Sequence, residues 1–364
     1  MIKTINGWRT IFATIIVLYH MGVDRFVLMP AGVFFFFMAS GMLMQMKHPF
    51  HSLDMRSYKK FALRSAIKIY PLHWFTLALL LLVLYLTGQL VIDPLALTLN
   101  FTLLHSWSMC HHIYFSYNQF SWFLSALLFC YLCFPLLSRW FMPLRLRHQL
   151  MLVAALTVVC LTVMLLTDEL GFIAMTVFPP FRIIGFVLGM MLVEVLPLLK
   201  RMPFLNNDEG NGTDAELVAL AFLSALTMMV EDNSEGFYRL SEMCLWWIPV
   251  TILLLVCVHY NKREGVWGKV LASKPMQWIS GVAFEFFMLQ RVAAIAFTYF
   301  MVPLLVHIGF GQPSTSALAD FLDLGSINPY SLLPWLVVPI DLLMSWLVNR
   351  LFTRPVKKLL LRAV

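Results

Sequence analysis

The stretch MRSYKKFALRSAIKIYPLHWFTLALLLLVLYLTGQLVI, residues 55–92, decides the fold. Its first part carries Arg56, Lys59, Lys60, Arg64 and Lys68, whereas no Lys, Arg, Asp or Glu occurs from Pro71 to Ile92. A helix needs about 20 apolar residues to cross a hydrocarbon core of about 30 Å. Residues 71–92 meet that length and read as a membrane span that begins at Pro71. The basic residues before it mark a cytoplasmic flank, because Lys and Arg accumulate in cytoplasmic loops.

The same pattern repeats along the chain. Of the 364 residues, 60% are hydrophobic and 12% charged, with a mean hydropathy of +0.81. Soluble domains are about 45–50% apolar and about a quarter charged. Apolar segments fall at about 7–22, 31–46, 71–92, 120–138, 149–167, 179–199, 215–231, 243–261, 279–305 and 331–352. The first two are short for a span, so they extend into their polar flanks or the bilayer thins around them. The first stretch lacks a small-residue cleavage site and runs straight into the second, unlike a cleavable signal peptide.

Starting the N-terminus in the cytoplasm and alternating sides places 22 of the 26 Lys and Arg on the inside and two, Arg25 and Arg239, on the outside. Arg182 and Arg291 fall within or at the edge of spans. An odd number of spans would put a basic cluster on the wrong side. The expectation is therefore an all-α polytopic membrane protein with about ten transmembrane helices and both termini cytoplasmic. It forms a single transmembrane domain over residues 1–364 with no separate soluble domain.

The net charge of +7 is a topology signal that also attracts anionic lipid, not a nucleic-acid signature. Most of the six cysteines lie in apolar runs, including the Cys130–Cys133 pair, and read as small packing residues rather than a disulfide framework. Asn211-Gly-Thr has the form of a glycosylation acceptor but falls in an inside loop.

Polar groups inside the membrane are functional candidates, since a charge at a helix centre costs roughly 2.5–3.5 kcal/mol to insert. The first span, WRTIFATIIVLYHMG at residues 8–22, carries Arg9 and His20 eleven positions apart. In one helix that is about 16 Å along the axis and about 20° around it, so the two share a face. Histidine titrates near neutrality and is a candidate general base. Taken alone, Arg9 is also an interfacial anchor and His20 a packing histidine.

The second span carries Ser40 and Gly41 after four phenylalanines, as a site residue or a packing patch. Arg64 and Lys68 share a helix face, as a phosphate grip or an amphipathic surface lying on anionic lipid. His105, His111, His112, Asn118 and Trp122 lie in or beside an outside loop. The adjacent histidines converge poorly on a metal ion and no carboxylate neighbours them, so no metal site is expected. Glu194, Glu285 and Asp341 fall in late spans, where Arg182 and Arg291 are possible partners.

Taken together, these residues resemble the acyltransferase 3 family of integral-membrane acyltransferases over nearly the whole chain. Arg9 and His20 fit its arginine–ten residues–histidine spacing. Phe36, Phe37, Ser40 and Gly41 fit a Phe-Phe-x-x-Ser-Gly block. Arg64, Lys68, Ile69 and Pro71 resemble its basic stretch before Ile-x-Pro, and Trp122, Leu124, Tyr131, Phe134 and Pro135 its later Trp-Leu helix. The chain departs from the family with Phe34 in place of an acid, Lys68 of an arginine, Leu127 of a glutamate and Gln290 of a histidine.

The resemblance implies transfer of an acyl group, usually acetyl, from acetyl-CoA or another acyl-CoA to a hydroxyl of a cell-envelope carbohydrate or lipid-linked glycan. It implies His20 and Arg9 as catalytic residues, with His20 as general base or transient acyl carrier. It implies Arg64, Lys68, Ser40, Trp122 and Asn118 as substrate-binding residues, no bound cofactor, and multi-pass residence in the inner (plasma) membrane. A partner protein to complete transfer is compatible with it. A glycan transporter or flippase of the same family, and a non-catalytic membrane subunit or sensor, are the competing readings.

Overall fold

The structure is a computed structural model that describes residues 2–21, 28–50, 52, 54–199, 212–231, 235–262, 264–307 and 333–363. All regular structure among the described residues is helical. Ten principal helices follow one another: α1 (Lys3–His20), α2 (Met29–Lys47), α3 (Met55–Leu86), α4 (Trp122–Leu136), α5 (Leu146–Leu165), α6 (Pro179–Leu199), α7 (Thr213–Glu231), α8 (Trp247–His259), α9 (Ala283–Ala296) and α10 (Leu333–Val348). With the turns that continue them, α2 to α10 supply nine stretches among the described residues that are long and apolar enough to cross a membrane. The protein is an all-α, multi-pass membrane protein.

The helix α1 is the least lipid-like of the ten, and its packing explains how it stands in the bundle. It lies against α2, α9 and two short helices, Val266–Leu271 and Lys274–Ser280. Asn6 donates to the Gln277 side chain at 3.0 Å, and the Thr10 hydroxyl to the Met276 carbonyl at 2.8 Å. Asn6 and Thr10 are thus satisfied by protein, which removes their penalty for facing hydrocarbon.

α3 departs from the sequence expectation. Residues 55–86 form one continuous helix, with Pro71 inside it rather than at the start of a span. Asp54 caps it by accepting from the Ser57 amide at 2.8 Å. Its 32 residues extend about 48 Å, more than the hydrocarbon needs, so its basic first turns project beyond the core. The basic stretch is therefore the end of a span and not a separate helix lying on the bilayer. Proline is tolerated within a membrane helix where neighbouring groups satisfy the freed backbone.

α2 and α6 pack backbone to backbone. A Cβ on Gly41 would overlap the Phe186 carbonyl oxygen, and one on Gly189 the Met38 carbonyl oxygen. Apolar side chains gain little from meeting one another in lipid, so close approach at small residues holds membrane helices together. Gly41 thus fulfils the packing role expected of that block and leaves its neighbour Ser40 free for another.

The acids of the late spans do not pair with the intramembrane arginines. Glu194 accepts from Gln149 at 3.1 Å, Glu285 from Asn349 at 2.8 Å, and Asp341 from Ser345 at 3.4 Å. Cys130, Cys160 and Cys257 are free thiols buried among apolar side chains. Arg25, Lys200, Arg201, Asn211 and Arg263 lie outside the described residues.

Candidate active site

A continuous cavity of about 990 Å³ runs through the bundle. One stripe of each of four helices lines it. α1 gives Arg9, Ile16 and His20, and α2 gives Met29, Val33, Phe36 and Ser40. α4 gives Phe123, Leu127 and Tyr131, and α9 gives Phe284, Phe287 and Arg291. These positions recur every three or four residues or sum to two turns, which is the spacing that sets side chains on one helix face. At the N-terminal end of α1 the cavity meets Lys68, Ser280 and Lys357; at the opposite end it meets His111, Glu169 and Arg239.

Arg9 and His20 therefore share a face, as their spacing requires, and that face looks into the cavity. Each is half-buried, and the surface it retains belongs to the cavity wall. His20 Nδ1 lies 3.2 Å from Gln290 Oε1. Gln290 Nε2 donates to the Phe287 carbonyl at 2.8 Å, which fixes the amide and turns its oxygen toward the imidazole. An amide oxygen only accepts, so Nδ1 carries the hydrogen and Nε2 the free lone pair; the tautomer is assigned from this network. The Phe120 ring packs on the imidazole with centroids 4.3 Å apart. The histidine is thereby held in one orientation with its basic nitrogen available.

Arg9 is oriented differently. Its Nε has no hydrogen-bond partner among the described residues. Tyr131 lies within electrostatic reach of it across the cavity wall, and Tyr131 is hydrogen-bonded to Ser40. Arg9, Ser40 and Tyr131 thus form one polar patch within an otherwise apolar stretch of wall. An unpaired guanidinium there is a site for an anion or a polar ligand.

Lys68 and Trp122 also line the cavity. Trp122 holds Arg182, whose guanidinium sits 5.2 Å from its ring and 5.3 Å from that of Phe34. Arg182 Nε donates to the Thr176 carbonyl, and Glu242 lies within electrostatic reach of it. Phe34, where the resemblance leads to the expectation of an acid, offers a ring face to this arginine. Leu127 keeps this part of the wall apolar.

Two expected substrate-binding residues fall elsewhere. Arg64 is exposed and outside the cavity wall, though its charge reaches Lys68. Asn118 is fully buried and donates to the Met288 carbonyl at 3.1 Å. It belongs to a polar knot in which Ser121 accepts from the Asn100 amide, donates to the Asn118 carbonyl and contacts His105 at 3.0 Å. That knot ties the loop carrying Phe120 to α9, and Asn118 lies behind the cavity wall rather than in it.

Sequence reasoning missed several wall residues. Tyr131 stands in the sequence only as part of the Trp-Leu helix motif, and nothing local marks Glu242. The short helix Glu169–Val177, capped by Asp168 on the Gly171 amide at 2.9 Å, closes one side with Phe172, Ile173 and Thr176. Its signal was the capping aspartate followed by apolar pairs at helical spacing, on a segment too short to span. Tyr117 adopts φ 50, a left-handed conformation costing a non-glycine residue roughly 1–2 kcal/mol. The turn it makes presents its carbonyl to Arg291.

No curated protein and no solved structure matched the chain. A family model, that of the acyltransferase 3 domain, matches residues 2–349, nearly the full length and all four helices whose stripes line the cavity. The chain belongs to the acyltransferase 3 family and is an acyltransferase.

Proposed function

We propose that this protein is an O-acyltransferase that moves acetyl, or a similar acyl group, from acyl-CoA to a hydroxyl of a cell-envelope carbohydrate or lipid-linked glycan. The observation that carries this reading is His20, held at Nδ1 by Gln290 with Nε2 free in a cavity reaching both ends of the bundle. The basic flanks support placing the N-terminal end of α1 in the cytoplasm, at the inner (plasma) membrane. Donor then enters beside Lys68, and acceptor arrives at the His20 end.

Helix geometry divides the labour. Arg9 and His20 are about 16 Å apart along α1, too far for both to touch one reacting carbonyl. Arg9, with Ser40 and Tyr131 beside it, holds the arm of the donor, while the thioester reaches His20. His20 Nε2 takes the proton of the acceptor hydroxyl as its oxygen attacks the thioester carbonyl. The tetrahedral intermediate collapses, the carbon–sulfur bond breaks, and the leaving thiolate receives the proton from the imidazolium. The products are an ester and free coenzyme A, and His20 returns to its starting state.

Continuity of the cavity between its two ends also suits a translocator of a lipid-linked glycan. Mass analysis of envelope glycans from cells with and without the protein separates the two. A difference of one acyl group is expected; unchanged glycan masses with glycan movement in vesicles lacking any acyl donor would favour translocation.

A further inference from the structure

The cavity mouth near the start of α1 holds more positive charge than the family-like motifs supply. Lys68 and Lys357 both line it. Lys357, Lys47 and Arg64 all act electrostatically on Lys68, so the two lysines of the opening are reinforced by two cations that stand outside its wall. Lys357 comes from the terminal helix Arg354–Arg362, beyond the residues that the family model matches. Of the basic residues on that helix, Lys357 is half-buried while Arg354, Lys358 and Arg362 are exposed. The carboxylate that acts on Lys357 is Glu285, which is already bonded to Asn349 at 2.8 Å. Like charges gathered at a rim raise its energy, and a polyanion seated among them lowers it.

We propose that Lys357, together with Lys68, forms an anion site at this mouth that grips the phosphate groups of the acyl donor. The assignment rests on the reading of the donor as acyl-CoA. Coenzyme A carries its diphosphate and 3′-phosphate at the end opposite the sulfur. Phosphates held at the rim send the flexible arm inward past Arg9 and the thioester toward His20. Lysine ammonium groups on flexible stems suit phosphates as point charges. An anionic lipid headgroup offers the same phosphate chemistry, and the test separates the two.

The full chain is placed in nanodiscs of neutral phosphatidylcholine, and binding of coenzyme A and of pantetheine is measured by calorimetry. Lys357→Gln should weaken coenzyme A binding roughly tenfold and leave pantetheine binding unchanged, while Lys357→Arg retains affinity. Equal coenzyme A affinity in wild type and Lys357→Gln would overturn the site. So would a difference confined to discs containing anionic lipid, which would assign the lysine to lipid. Absence of coenzyme A binding by the wild type would instead overturn the donor reading on which the site rests. A second measurement needs no variant: in the wild type, coenzyme A should protect Lys357, but not Lys358, from an amine-reactive label read by mass spectrometry. Equal labelling with and without coenzyme A would count against the site.

Discussion

Gln290 holds His20 by Nδ1, and the Phe287 carbonyl in turn holds Gln290. The base therefore depends on a neutral amide 270 residues away in sequence. Gln290→Leu removes the acceptor and frees the ring to rotate. Steady-state kinetics should show kcat falling about 10–100-fold, as for loss of other groups that orient a reactive ligand, with donor KM little changed. An unchanged kcat would mean that Phe120 alone orients the imidazole. Arg9→Gln should act the other way, raising donor KM about tenfold or more because a charge-assisted contact to the donor is lost. If KM held and only kcat fell, Arg9 would belong with the reacting carbonyl. Arg9 and His20 were legible in the sequence because a single helix fixes their relation. Gln290 and the Arg9–Tyr131–Ser40 patch were not, because they arise where different helices meet and no local period encodes that.

Among the elements, the α2–α6 contact is the most sensitive to substitution. Gly189→Val would drive a side chain into the Met38 backbone, and backbone cannot yield as a flexible side chain does. It should sharply lower the yield of monodisperse protein on size-exclusion chromatography in detergent. Gly185→Ala is the matched control: its Cβ would meet nothing nearer than Phe34 Cδ1 at 3.5 Å, so yield should match wild type. Equal yields for both would contradict the close approach. The spans themselves were readable from apolar length and flanking charge. The continuity of α3 through Pro71 was not, because proline ends helices in water but is accommodated inside a membrane bundle. The helix Glu169–Val177 escaped notice because it is too short to cross the bilayer.

For the whole molecule, acyl transfer across the bundle requires one end of the cavity to face the cytoplasm and the other the opposite side. Cys110 offers a native probe, since it is an exposed thiol in the segment between α3 and α4. A membrane-impermeant maleimide should label it in cells whose inner membrane is intact, and Cys110→Ser should remove that label. Labelling of Cys110 only after permeabilisation would reverse the orientation and with it the donor and acceptor ends. The central claim is that His20 is the base of acyl transfer, and labelled acetyl-CoA with membranes containing the native acceptor tests it most directly. His20→Ala should cut transfer to the glycan by about 10²–10⁴-fold while the protein remains folded and in the membrane. Transfer by folded His20→Ala at the wild-type rate would contradict the account.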